Sequence, residues 1–314
     1  MGGGCMADAL IGTAVPILFL MGTGFLSRKF GVLKLGDERV LSAYVYFFAL
    51  PALFFVDLSE TSFVADTLSF IFAGITPVFV VVAVYVLLHA VFRFSKNTLY
   101  LLTLSTVFGS LAFFGIPFIT FAFPSTQSEH LATLAAATIG IAAIAVSITV
   151  LEFYRLGESP KIESLKLVAV RLAKNPLIVS IVAGILFSVV GLEIPSPVST
   201  FLHMLGGTTS AVAVFMLGAF LYGKKYANLK KAFGLSLLRI VFLPTLVLAT
   251  LTLFSLPSME RSVLVLMHGM PVAVSLSVLS QRYNFYTDTI ASLTLISSVG
   301  AIVYLNIWLF ILGI

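Results

Sequence analysis

Charged residues are scarce in this sequence. Lys, Arg, Asp and Glu together make up only 10% of its 314 residues, whereas a soluble globular domain carries about 25%. Hydrophobic residues make up 60% of the chain, and the mean hydropathy is +1.12. This composition excludes an ordinary soluble domain and predicts a protein that is embedded in a membrane.

The chain also lacks the residues that would indicate catalysis or a metal site. Cys5 is the only cysteine, which excludes an intrachain disulfide and argues against a cysteine metal site. Neither the HExxH pattern of metalloproteases nor the GxSxG pattern of serine hydrolases occurs. We therefore expect a protein that is not an enzyme, with no catalytic residue, no metal and no cofactor.

Long apolar runs account for almost the whole chain. A helix needs about 20 apolar residues to cross a bilayer. Ten runs of about this length follow one another, which we number as segments 1 to 10: 7–26, 40–58, 67–91, 99–123, 130–152, 175–192, 198–222, 232–255, 261–281 and 287–312. The sequence thus predicts an all-α polytopic membrane protein with ten transmembrane helices.

Basic residues are concentrated in alternate loops. Arg261 lies on one side of this arrangement, and Arg239, two turns into segment 8, is expected to extend its side chain back to the other, basic side. The remaining 16 of the 18 Lys and Arg residues lie in five loops on the basic side: Arg28, Lys29, Lys34, Arg39, Arg93, Lys96, Arg155, Lys161, Lys166, Arg171, Lys174, Lys224, Lys225, Lys230, Lys231 and Arg282. Because basic loops mark the cytoplasmic side, we expect both termini to be non-cytoplasmic, in a multi-pass protein of the cell membrane (inner or plasma membrane). The net charge of +5 follows from these loops and does not indicate nucleic-acid binding.

The two halves of the chain repeat weakly. Pro16, Gly24, Leu26 and Gly31 lie 160 residues before Pro176, Gly184, Leu186 and Gly191, and Gly115-Ile116-Pro117 lies 154 residues before Gly269-Met270-Pro271. Five helices per half is an odd number, so the second half would enter the membrane from the opposite side. We predict two inverted five-helix repeats, 1–152 and 175–314, joined by a cytoplasmic linker over 153–174.

The two Gly-x-Pro motifs predict where the repeats meet. Proline interrupts helical hydrogen bonding, and a membrane tolerates a broken helix only away from lipid. We expect segments 4 and 9 to be broken and to cross near Pro117 and Pro271, with each proline at the start of a half-helix. Two half-helix N-termini would then face one point and bind an anion without a basic side chain. The alternative is that both prolines only kink packed helices.

Several stretches resemble the auxin efflux carrier family, which includes the PIN-type auxin exporters of plants and bacterial carriers assigned to malonate or malate. The resemblance is clearest in FFGIPF (113–118), NPLIVSIVAGILFSVVGLEIP (175–195), LGGTTSAVAVFMLGAFLYG (205–223) and MPVAVSLSVLSQRYNFYTDTIASLTLISSVGAI (270–302). It implies the bile-acid-symporter/PIN-like fold. In that fold, helices 1, 2, 6 and 7 form a scaffold that makes a homodimer, and helices 3–5 and 8–10 form a transport domain that moves like an elevator. Plant members have an asparagine that contacts the substrate carboxylate where this chain has Ser110.

The residues around the predicted crossing make up the candidate site. His268 lies three residues before Pro271 and could bind substrate or carry a proton, or it could stay neutral and bond a freed backbone carbonyl. The predicted substrate-binding residues are Ser110, Phe113, Gly115, Ile116, Pro117, His268, Gly269, Met270, Pro271 and Ser275. By contrast, four carboxylates fall at predicted helix ends, where we expect them to be solvated: Asp57, Glu60, Glu152 and Asp288.

These patterns together predict a secondary transporter of a small organic anion, auxin-like or a mono- or dicarboxylate, which works in the lipid bilayer by elevator-type alternating access. The alternatives are a sodium-coupled symporter of the related bile-acid type, and a channel or receptor that uses the same fold. Sodium sites usually recruit oxygen ligands, often carboxylates, and we place no carboxylate in the membrane core. Sodium coupling is therefore less favoured, although backbone carbonyls at the helix breaks could still form such a site.

Overall fold

The computed structural model describes residues 3–156, 169–170, 172–223 and 227–314. Most of the predicted linker, 157–168, therefore lies outside the described residues. The described part is built of helices, and its β-type pairing is an isolated antiparallel bridge between Gly109 and Val272. The all-α architecture predicted from the apolar runs is confirmed.

Helices cover each of the predicted apolar runs, and their ends lie within four residues of the predicted ends. Two of them, α4 and α9, are each divided into two parts. The helices are α1 (Gly3–Lys29), α2 (Asp37–Ser59), α3 (Ala65–Phe92), α4a (Lys96–Val107), α4b (Leu111–Ala122), α5 (Thr126–Leu156), α6 (Pro176–Val190), α7 (Ser196–Leu221), α8 (Leu229–Leu253), α9a (Ser258–Gly269), α9b (Val274–Tyr283) and α10 (Thr287–Ile311).

Among the described residues, five helices are long and apolar enough to cross a membrane by themselves: α2, α3, α5, α7 and α8. In α10, the stretches Thr287–Ala301 and Val303–Ile311 meet this criterion together, with a bend of 53° between them, which raises the number to six. Helices α4b and α6 are apolar but shorter. The chain is thus a polytopic membrane protein, as its apolar runs predict.

Three prolines inside these helices follow a π-helical turn and leave the helix continuous. Proline removes one backbone donor and its ring collides with the preceding turn, and the wider π turn gives the chain room to continue. The turns are Val45–Ala49 before Pro51, Leu111–Gly115 before Pro117, and Leu238–Phe242 before Pro244. Proline alone therefore does not mark a helix break in this chain.

Glycines allow close contact between pairs of helices. A Cβ atom on Gly24 of α1 would lie 1.9 Å from the carbonyl oxygen of Phe215 in α7, and one on Gly218 of α7 would lie 1.9 Å from that of Met21. A Cβ atom on Gly184 of α6 would lie 2.8 Å from a carbonyl oxygen of α2. Small residues at such positions let membrane helices approach backbone to backbone.

The helices form two groups, which contact each other through α4b on α1 and α7 and through α5 on α2. Helix α1 packs on α7, and α2 packs on both α6 and α7. In the second group, α5 packs on α3, α4 and α9a, while α8 and α9b pack on α10. The interruptions of α4 and α9 both lie in this second group.

Candidate functional site at the helix crossover

Helices α4 and α9 are both interrupted, and the two interruptions are hydrogen-bonded to each other. The N–H of Ser110 donates to the carbonyl of Pro271 over 2.8 Å, and the N–H of Ala273 donates to the carbonyl of Phe108 over 3.1 Å. The two backbones therefore cross as a short antiparallel pair. We call this region the crossover, comprising 108–110 and 270–273.

The break in α4 lies earlier in the chain than predicted. It is formed by 108–110, and the helix has resumed well before Pro117, which follows one of the π turns. Pro271, in contrast, lies inside the break of α9. The placement of Pro117 at the crossing was therefore wrong, and the two Gly-x-Pro motifs do not occupy equivalent positions. The bridge pairs Gly109 with Val272, an offset of 163 residues (272 − 109) that is close to the 160 found for segments 1 and 6.

Four helix ends flank the crossover. Helices α4a and α9a end there, and α4b and α9b begin there. The first N–H groups of a helix have no acceptor within the helix and form the positive end of its dipole. Ser110 precedes α4b, and its hydroxyl makes no capping hydrogen bond to that half-helix. The N–H of Val272 donates to the hydroxyl of Ser297 in α10 over 3.1 Å, which ties the crossover to α10.

A basic side chain expected at the membrane surface lies at the crossover instead. Arg239 of α8 is only 1% exposed. Its Nε donates to the carbonyl of Met270 over 2.8 Å, and its Nη1 donates to the carbonyls of Thr106 and Val107, the latter over 3.1 Å. Its Nη2 is buried and has no hydrogen-bond partner among the described residues. The expected orientation of Arg239 toward the basic side was wrong, because backbone carbonyls at the crossover satisfy most of its donors.

Gly109 provides the room that Arg239 occupies. A Cβ atom on Gly109 would lie 1.6 Å from Nη2 and 2.4 Å from Cζ of Arg239. The guanidinium thus lies directly against the backbone of the break. An ionisable residue inside an apolar run is by default a candidate functional residue, and that signal could have identified Arg239. The role of Gly109 depends on where α8 meets α4, which no local pattern reveals.

His268 contacts a neighbouring helix. It is 1% exposed, and its Nε2 donates to the carbonyl of Gly74 in α3 over 2.9 Å. This contact supports the second of the two alternatives for His268, in which a neutral histidine donates a hydrogen bond to a backbone carbonyl. The absence of a side chain at Gly74 lets α9a lie close to α3, since a Cβ atom there would lie 3.0 Å from the side chain of Leu264 in α9a.

The other predicted residues are at different distances from the crossing. Ser110, Met270 and Pro271 belong to the crossover and are buried. Gly115 is buried in α4b, where a Cβ atom would lie 2.8 Å from the sulfur of Met267. Of the remaining five, Ile116, Pro117 and Gly269 are buried and Phe113 and Ser275 are half-buried; the last two lie in the first turns of α4b and α9b. The structure thus brings part of the predicted set together at one point.

Two carboxylates expected at solvated helix ends are covered by neighbouring helices. Glu152 is 0% exposed and accepts a hydrogen bond from the hydroxyl of Tyr283 at the end of α9b. The side chain of Asp57 is 16% exposed, and a carboxylate oxygen lies 3.9 Å from Nδ1 of His130. The expectation of solvation was wrong for these two residues because helix ends pack on one another. In the described part of the chain, no group of three metal-ligating side chains occurs.

Interrupted helices that meet inside a polytopic membrane protein are typical of secondary transporters. The comparison with protein families agrees with this class, because the profile of a family described as "Membrane transport protein" matches residues 9–309. The chain belongs to this family, the auxin efflux carrier family that its motifs resemble. It is therefore a membrane transporter rather than an enzyme.

Curated relatives agree with this assignment. The chain is 24% identical to the uncharacterized transporter YfdV of Escherichia coli (strain K12), over 98% of both chains. It is also 24% identical to the uncharacterized transporter MJ1031 of Methanocaldococcus jannaschii, over 94% of this chain and 96% of the relative. A lysosomal cholesterol signaling protein of Mus musculus is 25% identical over 91% of this chain, which spans only 36% of that longer protein.

Proposed function

We propose that this transporter carries a small organic anion through the crossover of α4 and α9. The observation that supports this best is the buried guanidinium of Arg239, whose Nη2 has no partner in the described part of the chain. A buried charge is stabilised when an opposite charge accompanies it, and the adjacent N-terminal ends of α4b and α9b also favour an anion. A carboxylate would accept charge-assisted hydrogen bonds from both sources.

The surroundings favour a carboxylate that is attached to an apolar body. Ile116 and Met270 are 1% and 0% exposed, and Phe113 lies half-buried in the first turn of α4b. An auxin-like acid or a mono- or dicarboxylate combines these two properties. Ser110 is only 4% exposed, so the crossover is closed in this conformation and substrate would enter after a rearrangement of the surrounding helices.

An inverted repeat would explain the pairwise glycine contacts. Gly24 of α1 lies against the backbone of α7, and Gly184 of α6, which is 160 residues later, lies against the backbone of α2. A repeat that relates α1 to α6 and α2 to α7 converts one contact into the other. We therefore retain ten transmembrane helices in two inverted repeats, with α1, α2, α6 and α7 as the scaffold. Helices α3–α5 and α8–α10 would then move as the transport domain of an elevator.

Contacts between helix ends are compatible with the proposed orientation. Lys231 lies 4.7 Å from the ring centre of Tyr286, and both belong to the side with the basic loops. Glu60 lies 3.4 Å from His203, and both belong to the opposite side. We propose that the basic side is cytoplasmic, that both termini are non-cytoplasmic, and that the scaffold helices form a homodimer in the cell membrane.

Transport and binding measurements on the purified protein test the proposal. We expect proteoliposomes to take up carboxylates such as auxin or malonate with saturation and counterflow, and to discriminate against their neutral amides. A channel would show neither saturation nor counterflow, and a receptor would bind without flux. Stimulation of uptake by sodium would favour the bile-acid-type symporter.

Substitution of Ser110 addresses the position of the site. A hydrogen bond to a charged group contributes roughly 1.5–3 kcal/mol, so Ser110→Ala should raise the apparent Kd for the carboxylate about ten- to a hundredfold. Ser180→Ala is the matched control, since the Ser180 hydroxyl donates to the carbonyl of Leu177 in its own helix. Equal affinity in both variants, or equal transport of amides and acids, would contradict the proposed site.

A further inference from the structure

The guanidinium of Arg239 lies between the C-terminal ends of two half-helices. Two of its acceptors, the carbonyls of Thr106 and Val107, are the last of α4a, and the third, that of Met270, directly follows α9a. These carbonyls form the negative ends of two helix dipoles. In transporters with broken helices, carbonyls in this position coordinate the coupling cation.

We propose that Arg239 is a built-in cation, whose guanidinium occupies the position between α4a and α9a where a cation-coupled carrier would bind a metal ion. Its Nε and Nη1 engage three carbonyls at the C-terminal ends of two separate helices, which a planar guanidinium can do from a fixed geometry. The charge is permanent and covalently attached, so the crossover keeps its shape without sodium.

The tight packing around the guanidinium supports this assignment. Arg239 is 1% exposed, and its Nη2 and Cζ lie where even a Cβ atom on Gly109 would collide. A metal ion would therefore have to displace the guanidinium to reach the same carbonyls. Only Nε and Nη1 donate to the carbonyls among the described residues. Nη2 is a separate donor, which remains available to an anionic substrate.

Thermal unfolding of the full-length protein in detergent tests the inference without any substrate. At constant ionic strength, we expect the wild type to unfold at the same temperature in sodium chloride and in choline chloride. Arg239→Ala should lower the Tm by about 5 °C or more, and about 5 mM guanidinium chloride should restore at least half of that loss by binding in the vacated position. Arg261→Ala, at an exposed position in α9a, is the control and should not respond to guanidinium.

A second pair of variants covers the case in which Arg239→Ala does not fold. Arg239→Lys keeps a cationic donor, whereas Arg239→Met keeps a comparable volume without charge, so the lysine variant should be the more stable one. Equal stability of these two variants would overturn the inference. Selective stabilisation of the wild type by sodium, or a folded Arg239→Ala variant that guanidinium does not stabilise, would overturn it as well.

The consequence for transport, namely flux that does not require sodium, rests on the proposed function. The unfolding experiments contain no carboxylate, however. A protein that fails to transport carboxylates but shows the expected guanidinium rescue would refute the proposed function and leave the role of Arg239 supported.

Discussion

Arg239 illustrates how a permanent charge can be held inside an apolar helix bundle. Burying an unpaired ion is costly, and here three backbone carbonyls that the two helix breaks set free accept from the guanidinium. The breaks and the arginine therefore depend on each other. Without the guanidinium, the carbonyls at the ends of α4a and α9a would lose their donors in a buried region, where each lost hydrogen bond is expensive.

Gly109 is the residue on which this arrangement depends sterically. Gly109→Ala would place a Cβ atom 1.6 Å from Nη2 of Arg239, so the guanidinium would have to move away from its carbonyls. We expect the free energy of unfolding to fall by about 2–4 kcal/mol, the combined cost of overpacking and a lost hydrogen bond. Chemical denaturation in detergent measures this.

Gly140→Ala provides the comparison for that experiment. Gly140 lies in α5, and a Cβ atom there would meet nothing within 4 Å, so alanine should be neutral or slightly stabilising through its helix propensity. If both alanine variants unfolded alike, the close approach of Arg239 to Gly109 would not be important for stability.

The residues of the site were only partly predictable from the sequence. Met270 and Pro271 were identified because a Gly-x-Pro motif marks them locally, and Ser110 was identified because the family resemblance points to its position. Arg239 was assigned to the membrane surface because its position two turns into the run allows that orientation. Which carbonyls it reaches depends on contacts between residues more than 30 positions apart along the chain, and hydropathy carries no such information.

At the scale of helices, apolar length was a reliable guide and proline was not. The ends of α3, for example, lie within two residues of the predicted run 67–91, because the transition from apolar to polar residues marks a membrane helix directly. The break in α4 was misplaced because Pro117 is the obvious local signal, yet a π turn accommodates it. The actual break, at 108–110, contains no proline and is stabilised by pairing with α9.

The contact between α1 and α7 yields a prediction about helix packing. Gly24→Ala would place a Cβ atom 1.9 Å from the carbonyl oxygen of Phe215, so the two helices would have to separate. We expect a loss of about 2 kcal/mol or more in stability, the usual range for overpacking a tight contact. The fraction of protein that remains monodisperse in gel filtration after a heat step is a suitable measure.

Gly22→Ala tests whether that loss reflects the helix contact. Gly22 lies about half a turn before Gly24, on the opposite side of α1. A Cβ atom there would meet nothing within 4 Å. Its replacement should leave the heat-resistant fraction unchanged. A loss of equal size in both variants would mean that glycine in α1 is needed for a reason other than packing on α7.

At the scale of the whole molecule, the glycine contacts and the distribution of basic residues form two separate patterns. The glycine contacts of α1 with α7 and of α6 with α2 are the pair that the proposed repeat would relate. The basic residues lie in loops that the proposed topology places on one side of the membrane. In the proposed inverted repeat, the two halves cross the membrane in opposite senses while all basic loops lie on one side. The side of the membrane on which each loop lies therefore tests both the charge pattern and the proposed repeat.

Cysteine labelling in intact cells measures that orientation. Cys5 is first replaced by serine, and then either Leu35→Cys or Glu193→Cys is introduced. Leu35 is 84% exposed in the loop that holds Lys34, and Glu193 is exposed in the loop between α6 and α7. We expect a membrane-impermeant maleimide to label Glu193→Cys from outside and Leu35→Cys only after permeabilisation, because basic loops stay in the cytoplasm. Labelling of Leu35→Cys in sealed cells would reverse the proposed orientation, and labelling of both would mean that the number of crossings between the two loops is even.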